Sequence, residues 1–178
     1  MSKAFFGGGC FWCLDAIFRE LKGVEKVISG YMGGHVTDPT YEQVCSGDTG
    51  HAEIIKICYQ ENLINYETLL EIFFSAHDPT TIDRQGHDIG SQYRSVIFYE
   101  NHEEKTTVHK VIDEFLAKKV FPSPIVTEVL PVDSFYKAEN YHQNYLFNND
   151  SHPYCQAVIN PKLDKFRRQW TSFLKESE

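Results

Sequence analysis

Three consecutive glycines at residues 7–9 join a short segment at 3–6, expected to form a strand, to a stretch whose apolar residues repeat at helical spacing. Glycine adopts backbone conformations that other residues avoid, so the chain can turn sharply there between a strand and a helix. The helix is expected over roughly 10–22, and Gly23 would end it. Cys10 therefore falls at the start of a helix, directly after a tight turn.

The rest of the chain mixes strands and helices without strict alternation. Strands are expected at 24–31, 53–59, 94–99 and 126–132, and helices over 66–77, from Asn101 to about 119, and from Pro161 onward. This mixture favours an α+β fold, with helices packed on a mainly antiparallel sheet. No repeat or linker interrupts the 178 residues, so a single domain over 1–178 is expected.

The charge and hydropathy patterns exclude two classes of partner. The 17 Lys and Arg against 25 Asp and Glu give a net charge of −8, which argues against a nucleic-acid backbone. No apolar run approaches the ~18 residues that a membrane helix needs. The first residues lack the features of a signal peptide, and a cytoplasmic protein is expected.

Three segments lack a regular pattern but are rich in His, Tyr, Asp and Gly. They cover 32–52, 78–93 and 133–160. Long irregular segments in a compact domain are usually functional. The three segments are therefore expected to meet at one site.

Cys10 and Cys13 form a Cys-Phe-Trp-Cys motif at the expected helix start. The free N–H groups there favour a thiolate and would lower the thiol pKa, which is typical of a nucleophile. The alternatives are two buried structural cysteines, or a zinc site, for which further ligands at metal spacing are missing. The other two cysteines before the C-terminal region, Cys45 and Cys58, are expected in the core.

Glu53 opens a predicted strand whose later residues are apolar, after a loop bracketed by glycines. If its carboxyl is buried in a pocket, desolvation raises its pKa and makes it a proton donor near neutral pH. The alternative is an exposed glutamate at a strand end. The eight histidines show no metal-ligand spacing, so no metal site is expected.

Five motifs in order carry a family resemblance over about residues 4–170. They are Gly-Gly-Cys-Phe-Trp at 8–12, Pro-Thr-Tyr-Glu-Gln-Val-Cys-Ser-Gly at 39–47, Gly-His-Ala-Glu at 50–53, Asp-Ile-Gly-Ser-Gln-Tyr-Arg-Ser at 88–95 and Tyr-His-Gln at 141–143. The chain resembles peptide methionine sulfoxide reductases of the A type. The resemblance implies a two-layer α/β sandwich with a ferredoxin-like core and a long irregular C-terminal region.

The resemblance also implies a thiol mechanism that needs no metal or flavin and acts on the S epimer of methionine sulfoxide, free or in oxidised proteins. Cys10 matches the nucleophile that attacks the sulfoxide sulfur, and Glu53 matches the acid that protonates the departing oxygen. Tyr41 and Tyr93 match hydroxyls that hydrogen-bond this oxygen.

The same resemblance assigns residues around the substrate. Phe11 and Trp12 match the walls that hold the substrate methyl group and select one epimer. Further matches to polar groups around the substrate are Asp88, His142 and Tyr145.

After methionine leaves, the resemblance implies that a second thiol condenses the Cys10 sulfenic acid to a disulfide, which thioredoxin-type dithiols reduce. Cys155 matches the usual resolving position. Cys13 is the other candidate, and a relay through both thiols is a third. Cys155 is favoured because a disulfide within the first turn of a helix must meet strict geometry. The rival functions are a dithiol oxidoreductase built on Cys10 and Cys13, and a zinc or interaction module.

Overall fold

The computed structural model describes residues 1–176, so residues 177–178 at the end of the predicted domain lie outside the described part. The strands are β1 Ser2–Gly7, β2 Val24–Met32, β3 Ala52–Tyr59, β4 Arg84–Gln85, β5 Asp88–Ile89, β6 Val96–Tyr99, β7 Glu128–Pro131 and β8 Tyr136–Lys137. The α-helices are α1 Phe11–Arg19, α2 Tyr41–Cys45, α3 Tyr66–Ala76, α4 His102–Ala117, α5 Tyr145–Asn148 and α6 Asn160–Gln169. None of the described helices is both long and apolar enough to cross a membrane.

Six strands form one sheet in the order β7-β6-β1-β3-β2-β8, and β4 and β5 form a separate hairpin. Every pairing in the large sheet is antiparallel except that of β6 with β7. The prediction of a mainly antiparallel sheet with helices is confirmed. The four central strands follow the chain path β-α-β-β-α-β through α1 and α3. The ferredoxin-like description of the core stays a prediction.

The two faces of the sheet are covered differently. Along β1, Ala4 and Phe6 lie in the large core shared with the helices, whereas Phe5 faces a smaller cluster on the other side. This alternation follows from the two-residue period of a strand. Phe135, from the irregular C-terminal region, packs against the smaller cluster. The helices therefore form one layer, and a loop covers much of the opposite face.

Helix ends follow the local capping chemistry. Asn101 caps α4, because its side-chain oxygen accepts a 2.9 Å hydrogen bond from the N–H of Glu104. The predicted start of this helix is therefore confirmed. One helix end was predicted too far along the chain: α1 ends at Arg19 rather than near residue 22. Short elements such as α2 and α5 were not predicted, because their periodic patterns are too brief to recognise.

The predictions for two cysteines were wrong. Cys45 is exposed and Cys58 is only half-buried, although both were expected in the core. Cys45 ends the short surface helix α2, of which only Val44 is buried. Cys58 lies opposite Lys3 and Lys26 in the sheet register, at a position of β3 that is open to solvent. An apolar residue type alone does not reveal which face of a strand is covered.

Candidate active site

The glycine turn brings Cys10 to the start of α1. A Cβ on Gly8 would lie 2.9 Å from the ring of His77, and one on Gly9 would lie 2.6 Å from Cγ of Gln85. Gly9 also has φ +90°, which side chains rarely adopt. Both positions therefore require glycine. Cys10, the next residue, occupies the N-cap position of α1.

Two buried side chains support this turn, and neither was predicted as functional from the sequence. The Gln85 amide holds the backbone of Asp78 at both ends, accepting from its N–H and donating to its carbonyl at 2.9 Å each. His77 bonds the Phe73 carbonyl through Nδ1 at 2.6 Å and Ser95 Oγ through Nε2 at 2.7 Å. Burial lowers the pKa of His77 to about 4, so its ring is neutral. No sequence motif marks these supporting residues.

Glu53, on β3, lies against the first turn of α1. Its Oε1 accepts a 3.0 Å hydrogen bond from the backbone N–H of Phe11, and the residue is 1% exposed. Burial raises the pKa of Glu53 to about 8, although the bond from Phe11 opposes this shift. The carboxyl is therefore protonated at neutral pH and can donate a proton, as expected for a buried pocket acid.

The Cys10 thiol differs from its expected state. Burial raises its pKa well above the ordinary value, and the hydrogen bond with Cys13 and the charge of Glu53 act in the same direction. The expectation of a lowered pKa is therefore wrong for the substrate-free reduced protein. The positive end of the α1 dipole would lower the pKa of Cys10, but removal of the thiol from water raises the pKa by more. Cys10 is therefore protonated in the substrate-free reduced protein.

Cys13 is the more acidic of the two thiols. Its hydrogen bond with Cys10 lowers its pKa most, and Lys162 and Tyr154 add to this effect against the cost of burial. Cys155 is fully buried in the same core, at the start of a π-helical turn over Cys155–Ile159. Burial raises the pKa of Cys155, and the charge of Cys13 adds to the shift. The pKa of Cys13 is thus linked to that of Cys10, and the charge of Cys13 affects the pKa of Cys155.

Trp12 is held by a set of aromatic contacts. Its ring stacks on Tyr145 with centroids 3.7 Å apart and planes 4° apart. Its Nε1–H donates a 3.0 Å hydrogen bond to Nδ1 of His142, and Tyr154 lies edge-on at 5.8 Å. The indole is therefore fixed in position and orientation while remaining partly accessible.

Phe11 and His142 are both fully buried, so they lie behind the accessible surface. Their rings are 5.0 Å apart. Because His142 Nδ1 accepts from Trp12, its proton is on Nε2, and this atom has no hydrogen-bond partner within residues 1–176. His142 therefore holds Trp12 directly, and Phe11 packs against His142 from within the core.

Tyr41 and Tyr93 are half-buried and stay protonated. Burial raises the pKa of both phenols, and the nearby charge of Glu53 contributes. Glu139, which was not predicted, fixes Tyr41: its Oε2 accepts from the Tyr41 backbone N–H at 3.0 Å, and its Oε1 accepts from the hydroxyl of Tyr31 at 3.0 Å. The two phenols can therefore donate hydrogen bonds near Glu53.

Asp88, on β5, accepts a 2.7 Å hydrogen bond from the hydroxyl of Tyr154, whose oxygen lies 4.0 Å from Sγ of Cys13. This bond joins the irregular segments 78–93 and 133–160, and the Glu139–Tyr41 bond joins 133–160 to 32–52. The prediction that the three segments meet at one place is confirmed.

A possible cation site lies elsewhere. Within residues 1–176, one group of three potential ligands comes close enough together, formed by Glu67, Glu71 and Glu114 on α3 and α4. Lys110 already lies 3.1 Å from Glu67 there. This surface cluster takes no part in the arrangement around Cys10.

Comparisons with known proteins relate this chain to one family of enzymes. A family model described as peptide methionine sulfoxide reductase matches residues 2–174. A relative from Chromobacterium violaceum, named peptide methionine sulfoxide reductase MsrA, is 53% identical over 98% of this chain and 99% of its own length. One of the same name from Nautilia profundicola is 52% identical over 93% of this chain and 94% of its own.

Solved structures give the same result. Reduced Mxr1 from Saccharomyces cerevisiae is 32% identical with a TM-score of 0.80, covering 86% of this chain and 88% of that chain. Methionine sulfoxide reductase A of Corynebacterium diphtheriae is 32% identical with a TM-score of 0.74, covering 83% of this chain and 74% of that chain.

Proposed function

The chain belongs to the peptide methionine sulfoxide reductase family, and we propose that Cys10, Glu53 and the tyrosines around them carry out its thiol-dependent reduction of methionine sulfoxide. The substrate is the S epimer, free or within an oxidised protein. The observation that carries this assignment is the buried, protonated Glu53 held at the same helix start as Cys10.

In the first step, Cys10 sulfur attacks the sulfoxide sulfur while Glu53 protonates the sulfoxide oxygen. Sulfoxide sulfur is a poor electrophile until its oxygen is protonated or hydrogen-bonded, so a donor must face the thiol. Tyr41 and Tyr93 hydrogen-bond the same oxygen without adding negative charge. The oxygen passes to Cys10, and the proton of Cys10 replaces the one that Glu53 gave. Methionine leaves, and Cys10 has been oxidised by two electrons to a sulfenic acid.

Trp12 forms the wall against which the substrate methyl group packs. Its stacking on Tyr145 and its bond to His142 hold the ring still, and Phe11 supports it from within the core. The sulfoxide sulfur carries a methyl group, an oxygen and the rest of the methionine side chain. When the positions of the methyl group and the oxygen are both fixed by the site, only one handedness at sulfur directs the side chain out of the site. This arrangement selects the S epimer.

Cys13 resolves the sulfenic acid, and Cys155 then exchanges with the resulting disulfide. The sequence favoured Cys155 as the first resolving thiol, but Cys13 lies one helical turn from Cys10, with its backbone N–H 3.1 Å from the Cys10 carbonyl. Cys155 is influenced by the charge of Cys13. An external dithiol of the thioredoxin type then reduces the disulfide by thiol–disulfide exchange. The yeast relative Mxr1 has been solved in complex with Trx2, which supports a partner of this kind.

A cytoplasmic location fits this chemistry. The proposed cycle consumes reduced external dithiol, and reducing compartments keep such thiols available.

A single-turnover experiment tests the proposal. The reduced protein is mixed with methionine S-sulfoxide without added reductant, and methionine and remaining thiols are counted. With one equivalent of sulfoxide per chain, one methionine and two lost thiols are expected, with little product from the R epimer. A dithiol oxidoreductase or a zinc module would release no methionine. That outcome would overturn the proposal.

A further inference from the structure

Tyr154 connects the resolving thiol to a carboxylate. Its hydroxyl donates to Asp88 Oδ2 at 2.7 Å, and the same oxygen lies 4.0 Å from Sγ of Cys13. A phenol carries one proton and two lone pairs, so an oxygen that donates to Asp88 can still accept from a thiol. Cys13, Tyr154 and Asp88 therefore form a continuous line of groups that can exchange protons.

The attack of Cys13 on the sulfenic acid of Cys10 needs a group that accepts the Cys13 proton. The thiolate is the form that attacks a sulfenic acid, so Cys13 must lose its proton. Cys13 is only 3% exposed, which leaves little access for water to take that proton. The side-chain group found within hydrogen-bond distance of this thiol, among residues 1–176, is the Tyr154 hydroxyl at 4.0 Å. Cys10 is the electrophile at this stage, so Tyr154 is the available acceptor.

We propose that Tyr154, with Asp88 behind it, accepts the proton of Cys13 as this thiol attacks the sulfenic acid of Cys10. The inference rests on the proposed function and assigns an acid–base residue to its second chemical step. Tyr154 lies directly before Cys155 in the chain, so the proton acceptor and the third thiol move with the same turn.

The step balances without any external reductant. A bond forms between the sulfurs of Cys10 and Cys13, and the sulfur–oxygen bond of the sulfenic acid breaks. The Cys13 proton passes to Tyr154, whose own proton passes to Asp88. The leaving hydroxide takes the proton of Glu53 and departs as water. Asp88 then loses its extra proton to solvent, and Glu53 regains one.

Tyr154 is positioned firmly enough for this role. Its ring lies edge-on to Trp12 with planes 78° apart, and its backbone N–H donates to Nδ1 of His152 at 3.2 Å. Asp88 is held in the β4–β5 hairpin opposite Gln85, which also supports the glycine turn. The proton acceptor and the nucleophile loop are thus fixed to the same small hairpin.

The test compares Tyr154→Phe with Tyr66→Phe in rapid-mixing single turnovers with methionine S-sulfoxide. Tyr66 is a matched control, because its buried hydroxyl has no partner within the described residues. Each sample is acid-quenched, its free thiols are alkylated, and peptide mass spectrometry follows the Cys10–Cys13 disulfide beside methionine release. The readout is the rate of disulfide formation divided by the rate of methionine release, so a general loss of activity does not imitate the effect.

We expect this ratio to fall about 100-fold in Tyr154→Phe and to stay unchanged in Tyr66→Phe, because a positioned acid–base group contributes roughly 100-fold or more. The sulfenic acid then accumulates and reacts with dimedone. Disulfide formation in the variant should rise roughly tenfold per pH unit, because it depends on thiolate already present. A loss of packing alone would leave the pH dependence as in the wild type.

Asp88→Asn carries the test if Tyr154→Phe does not fold, since it keeps the side-chain size but cannot take the proton. A ratio within twofold of the wild type in the folded variant overturns the inference. So does a wild-type protein whose first disulfide joins Cys10 to Cys155. A wild-type protein that releases no methionine overturns the proposed function itself, before any variant is compared.

Discussion

The backbone N–H of Phe11 donates a 3.0 Å hydrogen bond to the carboxyl of Glu53. Phe11 is the first residue of α1 and follows Cys10 directly, so the acid is attached to the helix start that carries the nucleophile. A free N–H at a helix start needs an acceptor, and Glu53 supplies it from β3. The hydrogen bond between Phe11 on α1 and Glu53 on β3 therefore helps to set the position of the Glu53 carboxyl relative to the Cys10 thiol.

Replacing this acid tests its role in the first step. Glu53→Gln keeps an oxygen that can accept from Phe11 but removes the proton that the sulfoxide oxygen needs. We expect methionine release to slow by about 100-fold or more, since general acid catalysis is typically worth 10²–10⁴. The wild-type rate should lose its acid contribution as pH rises through about 8, the pKa of Glu53, whereas the variant should lack this dependence. Rapid quench measurements over pH 6 to 10 give both results, and full activity in the variant would contradict the assignment.

The same substitution has a consequence for stability. Burial raises the pKa of Glu53 to about 8 from an ordinary value of 4.5. A raised pKa means that this group stabilises the fold below about 4.5 and that its contribution is lost as pH rises through about 8. Glu53→Gln should therefore gain stability relative to the wild type between pH 5 and pH 8, by on the order of 3 kcal/mol. Urea unfolding at both pH values measures the difference, and a constant difference would show that the carboxyl is not protonated in the fold.

Much of this site could be predicted from the sequence because its parts are marked by local patterns. The glycine turn and the helical period place Cys10 at a helix start, and the loop before β3 places Glu53 at the end of a buried strand. The supports of the site carry no such mark. Gln85 and Glu139 act through backbone groups that are distant in sequence, and only the folded chain brings them together. The pKa of Cys10 was mispredicted for the same reason, since burial depends on long-range packing.

The glycine turn before α1 predicts that a side chain at Gly9 lowers the stability of the protein. Gly9→Ala would place a Cβ 2.6 Å from Gln85 in a backbone conformation with φ +90°. Gly47 is a matched control, because its φ is +82° but nothing lies within 4 Å of its Cβ position. We expect Gly47→Ala to cost about 1 kcal/mol of unfolding free energy for backbone strain, and Gly9→Ala to cost roughly 1–3 kcal/mol more for the overlap. Equal losses in chemical denaturation would show that the turn has room for a side chain.

His142 allows a test of how the Trp12 wall is held. His142→Phe removes the acceptor for the Trp12 N–H, whereas His142→Asn keeps a nearby oxygen that can accept it. A net hydrogen bond is worth about 0.5–1.5 kcal/mol, so we expect KM for methionine S-sulfoxide to rise roughly two- to tenfold in the Phe variant. The Asn variant should recover part of this loss, and selectivity for the S epimer should follow the same order. Steady-state kinetics with both epimers measure KM and selectivity in each variant. An unchanged KM in His142→Phe would count against a positioning role for His142.

The order of the thiols can be read from two cysteine variants. Cys13 lies one helical turn from Cys10, with its backbone N–H 3.1 Å from the Cys10 carbonyl. Cys155 is fully buried, and the charge of Cys13 adds to the increase in its pKa. In a single turnover without reductant, Cys155→Ser should still release one methionine, lose two thiols and form the Cys10–Cys13 disulfide. Cys13→Ser should release methionine at a comparable rate but accumulate the sulfenic acid, because the thiol proposed for the resolving step is missing. Cys58→Ser, on the solvent side of β3, serves as the control and should behave as the wild type. A fast Cys10–Cys155 disulfide in Cys13→Ser would instead make Cys155 the direct resolving thiol, as the sequence alone suggested.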